Sequence, residues 1–519
     1  MKFSKLYIFS PIWETGREET MTLQIYNSLS RKKEPFTPVE KGKVKIYVCG
    51  MTVYSDAHIG HARTYLAFDV IRRYFEYRGC KVNYIQNITD VDDKIIAAAN
   101  KEGVDALEYS RRFADRCFKD LDDLGIQRAD IYPKASETIP DMIKMIQQIL
   151  DKGLGYVADG DVYFSVDKFP NYGKLSGINI EEMQAGARIE PGEKKKSPLD
   201  FALWKEAKPG EPSWDSPWGK GRPGWHIECS TMSSKLLGLP FDIHGGGMDL
   251  RFPHHENEIA QAEAATGKQF AKYWMHIGLL TVDGEKMSKS LGNIVNVKEL
   301  LKSWDPEVVR FFYVQTQYRH PPDFSEKALT NAEKGLEKLY RVKEKLESLS
   351  ANAKDADIKK DTLTKEEKNY LEAVNNLRTE FENAMDDDFN TPQAVATLFD
   401  FANSSNRFFS KTAAPNENLC KYALNTFIEL GNVLTLFQLK SEQVVEDSAN
   451  IEKLQKLISK YKGTTKSKEI DKLIKALLDI RKNARVNKDW KTADEIRDEL
   501  QELGFEIQDT DSGPVWRKK

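Results

Sequence analysis

The chain has 519 residues, 40% of them hydrophobic and 30% charged, which excludes a small disulfide-stapled fold, a disordered tail and a membrane bundle and leaves length for three or four domains. Lys and Arg number 77 against 80 Asp and Glu, a net charge of -3, so any nucleic-acid contact has to come from local basic patches. The five cysteines (Cys49, Cys80, Cys117, Cys229, Cys420) are odd in number and scattered, which predicts a reducing compartment, the cytosol by default, and no disulfide framework.

Residues 1 to 21 read as an N-terminal extension, and MTLQIYNSL from Met21 leads into the first domain. The run LYIFSPIW is short, proline-broken and without a small-residue cleavage site, so neither a signal peptide nor a membrane partner is expected. KVKIYVCG, ending at Gly50, predicts a strand. After a loop, Leu66, Val70, Tyr74 and Tyr77 recur at helical spacing. VNYIQNITD supplies the next strand, as a parallel crossover requires, and the start therefore predicts a doubly wound α/β sheet. Residues 140 to 222 change character: GLGYVADGDVYFSV predicts a hairpin, and Gly, Pro and Lys punctuation marks an insertion between two halves of the sheet. FDIHGGGMDL and YWMHIGLLTVDGEKMSKS then supply the second half.

From 326 to 440 the pattern is that of a helix bundle. Leu329, Ala332, Leu336, Leu339 and Leu346 form one stripe, Tyr370, Val374, Leu377 and Phe381 another, and Thr391 with Pro392 reads as a cap and first turn. The polar stretch 441 to 455 predicts a linker, and 456 to 519 a small C-terminal domain.

Three constellations carry chemistry. His58-Ile59-Gly60-His61 stands where the first helix begins, so two imidazoles beside helix N-terminal amides can hold a polyphosphate. Lys286-Met287-Ser288-Lys289-Ser290, in a loop over 284 to 293, offers two lysines to a leaving pyrophosphate. Each alone is compatible with an ordinary solvated loop; the pair, in this order, nearly removes that reading. The third is a donor set for a metal: Cys49 at the end of the first strand, Cys229 in GWHIECS, and His254 with Glu258 one helical turn apart in PHHENEIAQAEAA. Two thiolates, an imidazole and a carboxylate suit tetrahedral zinc. From the wide separation alone, two buried structural cysteines fit better than a metal site, and His255, three before Glu258, competes with His254.

The first two motifs together resemble the signature pair of class I aminoacyl-tRNA synthetases. YVCGMTVYSDAHIGHA, NITDVDDKI, GWHIECS, DIHGGGMDLRFPHHENEIAQ and KMSKSLGN are similar to the cysteinyl-tRNA synthetase family, and the similarity runs from Leu23 to Trp516. That resemblance implies a Rossmann-type catalytic domain over 22 to 325 with a connective insertion, then the bundle and an anticodon-binding domain. It implies one zinc ion on Cys49, Cys229, His254 and Glu258, selecting His254 over His255. Gly50, Thr89 and Trp225 would line an amino-acid pocket. His58, Gly60, His61, His244, Gly246, Asp249 and Lys289 would bind ATP with Mg²⁺, and His58, His61, Lys286 and Lys289 would stabilise the transition state. The implied activity is activation of cysteine by ATP and its transfer to tRNA(Cys) by a monomer, with zinc choosing the thiol over a serine hydroxyl.

Near the C-terminus RKNARVNKDWK carries five basic residues, one acidic residue and Trp490, which suits single-stranded RNA. Arg485, Trp490, Asp494 and Arg497 are the anticodon candidates; a solvated helix with Trp490 docked on its own domain is the competing reading. Two rival functions differ in kind. A ligase passing cysteine to a small amino-sugar acceptor would lack the long region after the catalytic half. A catalytically dead RNA-binding paralogue would have no reason to keep both signatures.

Overall fold

The computed structural model describes residues 23–178, 194–288, 291–353, 358, 360–438, 451, 453–461, 470–510 and 513–518. The chain divides into two compact units at Phe437 and Gln438. The expected extension over 1–21 and most of the expected linker, residues 441–450, lie outside the described residues; helical residues 453–460 run across the expected boundary at 455. Among the described residues, no helix is long and apolar enough to cross a membrane.

A hairpin of β1 (Gln24–Asn27) and β2 (Lys32–Pro35) precedes β3 (Lys43–Val48), in which Val44, Ile46, Tyr47 and Val48 are fully buried. The consecutive apolar residues Ile46, Tyr47 and Val48 are what the end of a strand covered on both faces needs. Helix α1 (Ile59–Tyr77) carries the chain to β4 (Lys81–Gln86), which pairs in parallel with β3, Val44 opposite Val82. Helices α2 (Asp93–Glu102), α3 (Ala106–Asp123) and α4 (Ile139–Asp151) follow. The insertion is a separate antiparallel sheet of β5 (Gly155–Ala158), β6 (Asp161–Phe164), β7 (Phe201–Glu206) and β8 (Gly221–Pro223). Its first turn has Asp159 at φ 47° and Gly160 at φ 87°, the left-handed pair that a two-residue hairpin favours.

The chain returns through α5 (Trp225–Leu237), β9 (Phe241–Gly247), α6 (Glu256–Thr266) and β10 (Ala271–Ile277). The parallel sheet has the order β4-β3-β9-β10. Its two halves therefore diverge between β3 and β9, and open α/β sheets bind ligands at the carboxyl ends of strands flanking such a point. Short strands β11 (Thr281–Val282) and β12 (Glu285–Lys286) lead into the second signature loop.

Helices α7 (Val297–Leu300) and α8 (Pro306–Val314), strand β13 (Asp323–Phe324) and helices α9 (Glu326–Leu349), α10 (Lys365–Asp386), α11 (Thr391–Lys411) and α12 (Glu417–Val433) complete the first unit. The predicted stripes are buried on α9 and α10. The cap of α11 falls one residue earlier than Thr391: the Asn390 side chain accepts from the Gln393 amide, and Thr391 and Pro392 are the first two helical residues. Arg63 on α1, 3% exposed, donates to the carbonyls of Tyr313, Thr316 and Gln317 and so closes the C-terminal end of α8. The buried carboxyl group of Asp388, between α10 and α11, accepts from Gln317, Tyr318 and Arg319 of the same segment. The second unit packs α13 (Ile470–Val486), α14 (Trp490–Glu502) and the hairpin of β14 (Phe505–Thr510) and β15 (Gly513–Lys518) around Leu473, Leu477, Ile496, Leu500 and Phe505.

Candidate active site and metal centre

Four side chains from four segments converge at the carboxyl edge of the sheet. Cys49 follows β3, Cys229 lies on α5, His254 lies in the wide turn Arg251–His255 and Glu258 on α6. From Pro253 onward the backbone is helical, as expected for PHHENEIAQAEAA; Phe252, just before it, is extended (φ -141°, ψ 136°), as the residue preceding a proline prefers. The Cys49 and Cys229 sulfurs are 3.7 Å apart, Cys49 Sγ is 3.5 Å from Glu258 Oε1, and His254 Nε2 is 2.9 Å from the same oxygen. All four residues are at most 4% exposed.

These separations fit a common ion. Two sulfurs about 2.3 Å from a tetrahedral zinc stand about 3.8 Å from each other, close to what the two thiols already show. A second set of donors, Cys49, His244, His255 and Glu258, also gathers within 4.8 Å. In that set His255 has both ring nitrogens engaged, Nε2 with Cys49 Sγ at 3.2 Å and Nδ1 with His276 Nε2 at 2.9 Å. His276 continues to the Ser28 hydroxyl at 2.8 Å.

Electrostatics couples the four groups. Burial alone would raise the Cys229 thiol, but the hydrogen bond from Cys49 and the charge of His254 bring it down to about 6. Cys49 is pushed up by burial and by its bond to Cys229. Burial disfavours a charged His254, yet Glu258 and Cys229 hold its proton up to about 10. Glu258 stays well below the usual carboxylate range because His244 and His254 outweigh its burial. The cluster is thus balanced by protons where a cation would replace them. Around it, burial and the neighbouring imidazoles keep His226 and His255 neutral. His226 Nδ1 meets His254 Nδ1 at 2.8 Å, and His244 Nε2 meets Glu258 Oε2 at 2.6 Å.

His244 is therefore fully buried against Glu258, its ring stacked on Trp274 with centroids 4.4 Å apart. The glycine run after it permits close approaches to protein groups. A Cβ on Gly245 would strike the Phe68 ring of α1, one on Gly246 would press on His255 and Leu250 at 3.0 Å, and one on Gly247 would strike the Asp249 carboxylate. Asp249 lies in the turn just past β9.

The signature residues come together as well. His58 caps α1: its Nδ1 accepts from the amides of Gly60 (3.2 Å) and His61 (3.4 Å), while His61 Nδ1 accepts from the His58 amide at 3.3 Å. The two rings stack with centroids 3.6 Å apart. The Ile59 amide donates to the Val295 carbonyl and the Ala62 amide to the His58 carbonyl, so the first amides of this helix are already taken. The amides beside the two imidazoles therefore have partners within the chain, and the rings are the part of the motif left to meet an anion. The second motif closes over the first: a Cβ on Gly60 would stand 3.0 Å from Met287 Cε, so only glycine leaves this contact unhindered. Lys286 is exposed on β12; Lys289 lies outside the described residues. The Tyr65 hydroxyl on α1 reaches the Cys49 carbonyl at 3.5 Å, tying the signature helix to the cysteine cluster.

Gly50 abuts the Asn87 carbonyl, where a side chain would not fit. Trp225, 38% exposed, stacks on His254 with centroids 4.0 Å apart. Thr89 is 2% exposed and donates to Glu228 Oε2 at 3.1 Å. Glu228, Asn87 and the surrounding imidazoles His226 and His276 escaped sequence reasoning, although Glu228 and His226 stand inside GWHIECS beside a residue already singled out. In the second unit Trp490, Asp494 and Arg497 share one face of α14, with Arg497 Nη1 3.4 Å from Asp494 Oδ1, while Arg485 is in the last turn of α13. Trp490 is 57% exposed and so not docked on its own unit.

The fold is that of the class I tRNA synthetases. The catalytic-domain model of class I (C) tRNA synthetases matches residues 35–334, a DALR domain 380–438 and a cysteinyl-tRNA ligase anticodon binding domain 467–517. Mycobacterium tuberculosis methionyl-tRNA synthetase in complex with methionyl-adenylate shares the fold, with a TM-score of 0.57 at 16% identity, over 76% of this chain and 89% of that one. A cysteine-tRNA ligase from Thermococcus onnurineus is 47% identical over 96% of this chain and 99% of its own, and one from Pelotomaculum thermopropionicum 48% identical over 96% and 100%. The chain belongs to the cysteine-tRNA ligase family.

Proposed function

We propose that the chain activates L-cysteine with ATP and esterifies it to the 3′ end of tRNA(Cys), with one zinc ion held by Cys49, Cys229, His254 and Glu258. The observation that carries the zinc assignment is the convergence of two sulfurs, an imidazole and a carboxylate on one buried point beside the signature helix. This set is favoured over the one containing His244 and His255 because it holds both thiols. His244 then orients Glu258, and His226 orients His254, as partners of metal ligands commonly do. When bound, zinc supplies a sulfur-preferring Lewis acid, which separates a thiol from a hydroxyl far better than an apolar pocket can.

In this reading the cysteine carboxylate attacks the α-phosphorus of ATP and pyrophosphate departs with Mg²⁺; a terminal ribose hydroxyl of the tRNA then takes the acyl group. No protein nucleophile is required. With Nδ1 of His58 and His61 accepting backbone amides, each neutral ring carries its proton on Nε2, a donor for phosphate oxygens. Lys286 and Lys289 add positive charge on the leaving phosphates. Gly50, Thr89 and Trp225 border the amino acid, and Gly246 and Asp249 the nucleotide. Arg485, Trp490, Asp494 and Arg497 receive the anticodon. The protein works as a monomer in the cytosol, where its free thiols stay reduced.

Amino-acid-dependent ATP-pyrophosphate exchange across the standard amino acids, with metal analysis of the same sample, tests the first step. Cysteine-only exchange with one zinc per chain is expected. Equal selectivity for cysteine over serine in metal-stripped protein would sink the zinc role, and failure to charge purified tRNA(Cys) would sink the acceptor.

A further inference from the structure

Glu228 is fully buried beside the cysteine cluster, and its Oε1 has no hydrogen-bond partner. Its other oxygen is fixed. Thr89 donates to Oε2 at 3.1 Å, Asn87 Nδ2 donates to Thr89 Oγ1 at 3.3 Å, and Asn87 Oδ1 accepts the Gly50 amide at 2.7 Å. This string joins the residue after Cys49 to the residue before Cys229, so it runs alongside the two thiols. Among the described residues no cationic side chain pairs with Glu228. A buried acceptor held in place and unpaired is expensive unless a ligand completes it.

We infer that Glu228 Oε1 is the recognition point for the α-ammonium group of the amino acid whose sulfur meets the metal cluster. In cysteine the nitrogen and sulfur are only two carbons apart, so a sulfur anchored between Cys49 and Cys229 brings the ammonium alongside the Gly50-Asn87-Thr89-Glu228 string. The ammonium brings three donors and the positive charge that this site lacks. Selectivity at this step then has two readers, the metal for the thiol and Glu228 for the amine, and thiol-carboxylate compounds without an amine are rejected.

This inference rests on the cysteine-activating reading, and the test separates the two. L-Cysteine and 3-mercaptopropionate, which keeps thiol and carboxylate but lacks the amine, are compared in ATP-pyrophosphate exchange, the first as substrate and the second as competitive inhibitor. The wild-type protein should bind cysteine the more tightly. Glu228→Gln should raise the KM for cysteine by about tenfold to a hundredfold, leave inhibition by 3-mercaptopropionate within about twofold, and leave zinc content unchanged, since the carboxylate matters only to the ammonium. Should that variant fail to fold, Glu228→Asp, which withdraws the carboxylate by one methylene, should give the same split with a smaller KM effect. Equal weakening of both compounds would reveal a merely structural residue and overturn the inference. So would an unchanged KM for cysteine, meaning that a water occupies Oε1, or wild-type protein that binds the two compounds equally. Absence of any cysteine-dependent exchange in the wild-type protein would instead refute the proposed function.

Discussion

Cys49 and Cys229 are 180 positions apart in the chain, yet their sulfurs stand 3.7 Å from each other in a fully buried cluster. Trp490, Asp494 and Arg497 lie within eight positions on one exposed helix face. The first arrangement needs the whole sheet to form; the second needs only two turns of helix. Buried groups can be tuned strongly by one another, as Cys229 and His254 are, because little water screens them. Exposed groups keep ordinary properties and act by shape, stacking and local charge. The difference teaches that the buried cluster should govern which amino acid is chosen, and the exposed face which RNA.

Substitutions can break that division. Cys229→Ala should abolish zinc retention and lower cysteine-dependent exchange about a thousandfold or more, checked by metal analysis and exchange on one preparation; retained zinc would remove Cys229 from the ligand set. Lys289→Ala should lower exchange by about a hundredfold to a thousandfold with zinc content intact. That separates the signature loop from the cluster, and unchanged exchange would count against the loop assignment.

The pH response sharpens the contrast. Without metal, His254 holds its proton up to about 10 and Cys49 is pushed up, so both protons must leave when a cation enters. Zinc affinity should therefore rise with pH, by about tenfold per unit for each proton displaced, between the Cys229 pKa of about 6 and the His254 pKa of about 10. Competition with a chelator measures it, and a flat profile would contradict the coupled cluster. Binding of an anticodon stem-loop over the same range should barely change. Trp490→Ala, the smallest effect, should lower tRNA charging about tenfold while leaving ATP-pyrophosphate exchange untouched; a loss in both would mean that the two regions are not separable.

Much of the fold is legible without coordinates. Leu329, Leu336 and Leu346 fall on the buried side of α9 as their spacing demands, and the β-branched run KVKIYV forms the strand that it suggests. Where the reading slipped, local chemistry explains it. Asn390 took the cap assigned to Thr391 because its amide oxygen reaches Gln393. The candidate site was harder. A motif search sees Cys229 but not Glu228, because a buried carboxyl declares itself only by what surrounds it.

Sequence alone determined the kinds of element, their order and the identity of the signature residues, because periodicity and local motifs are encoded within a turn or a strand length. Tertiary structure decided which imidazole meets which thiol, that His58 and His61 occupy the helix amides, and that Glu228 keeps an acceptor open. Those outcomes depend on contacts between segments up to about two hundred residues apart, whose distances and burial no local pattern records.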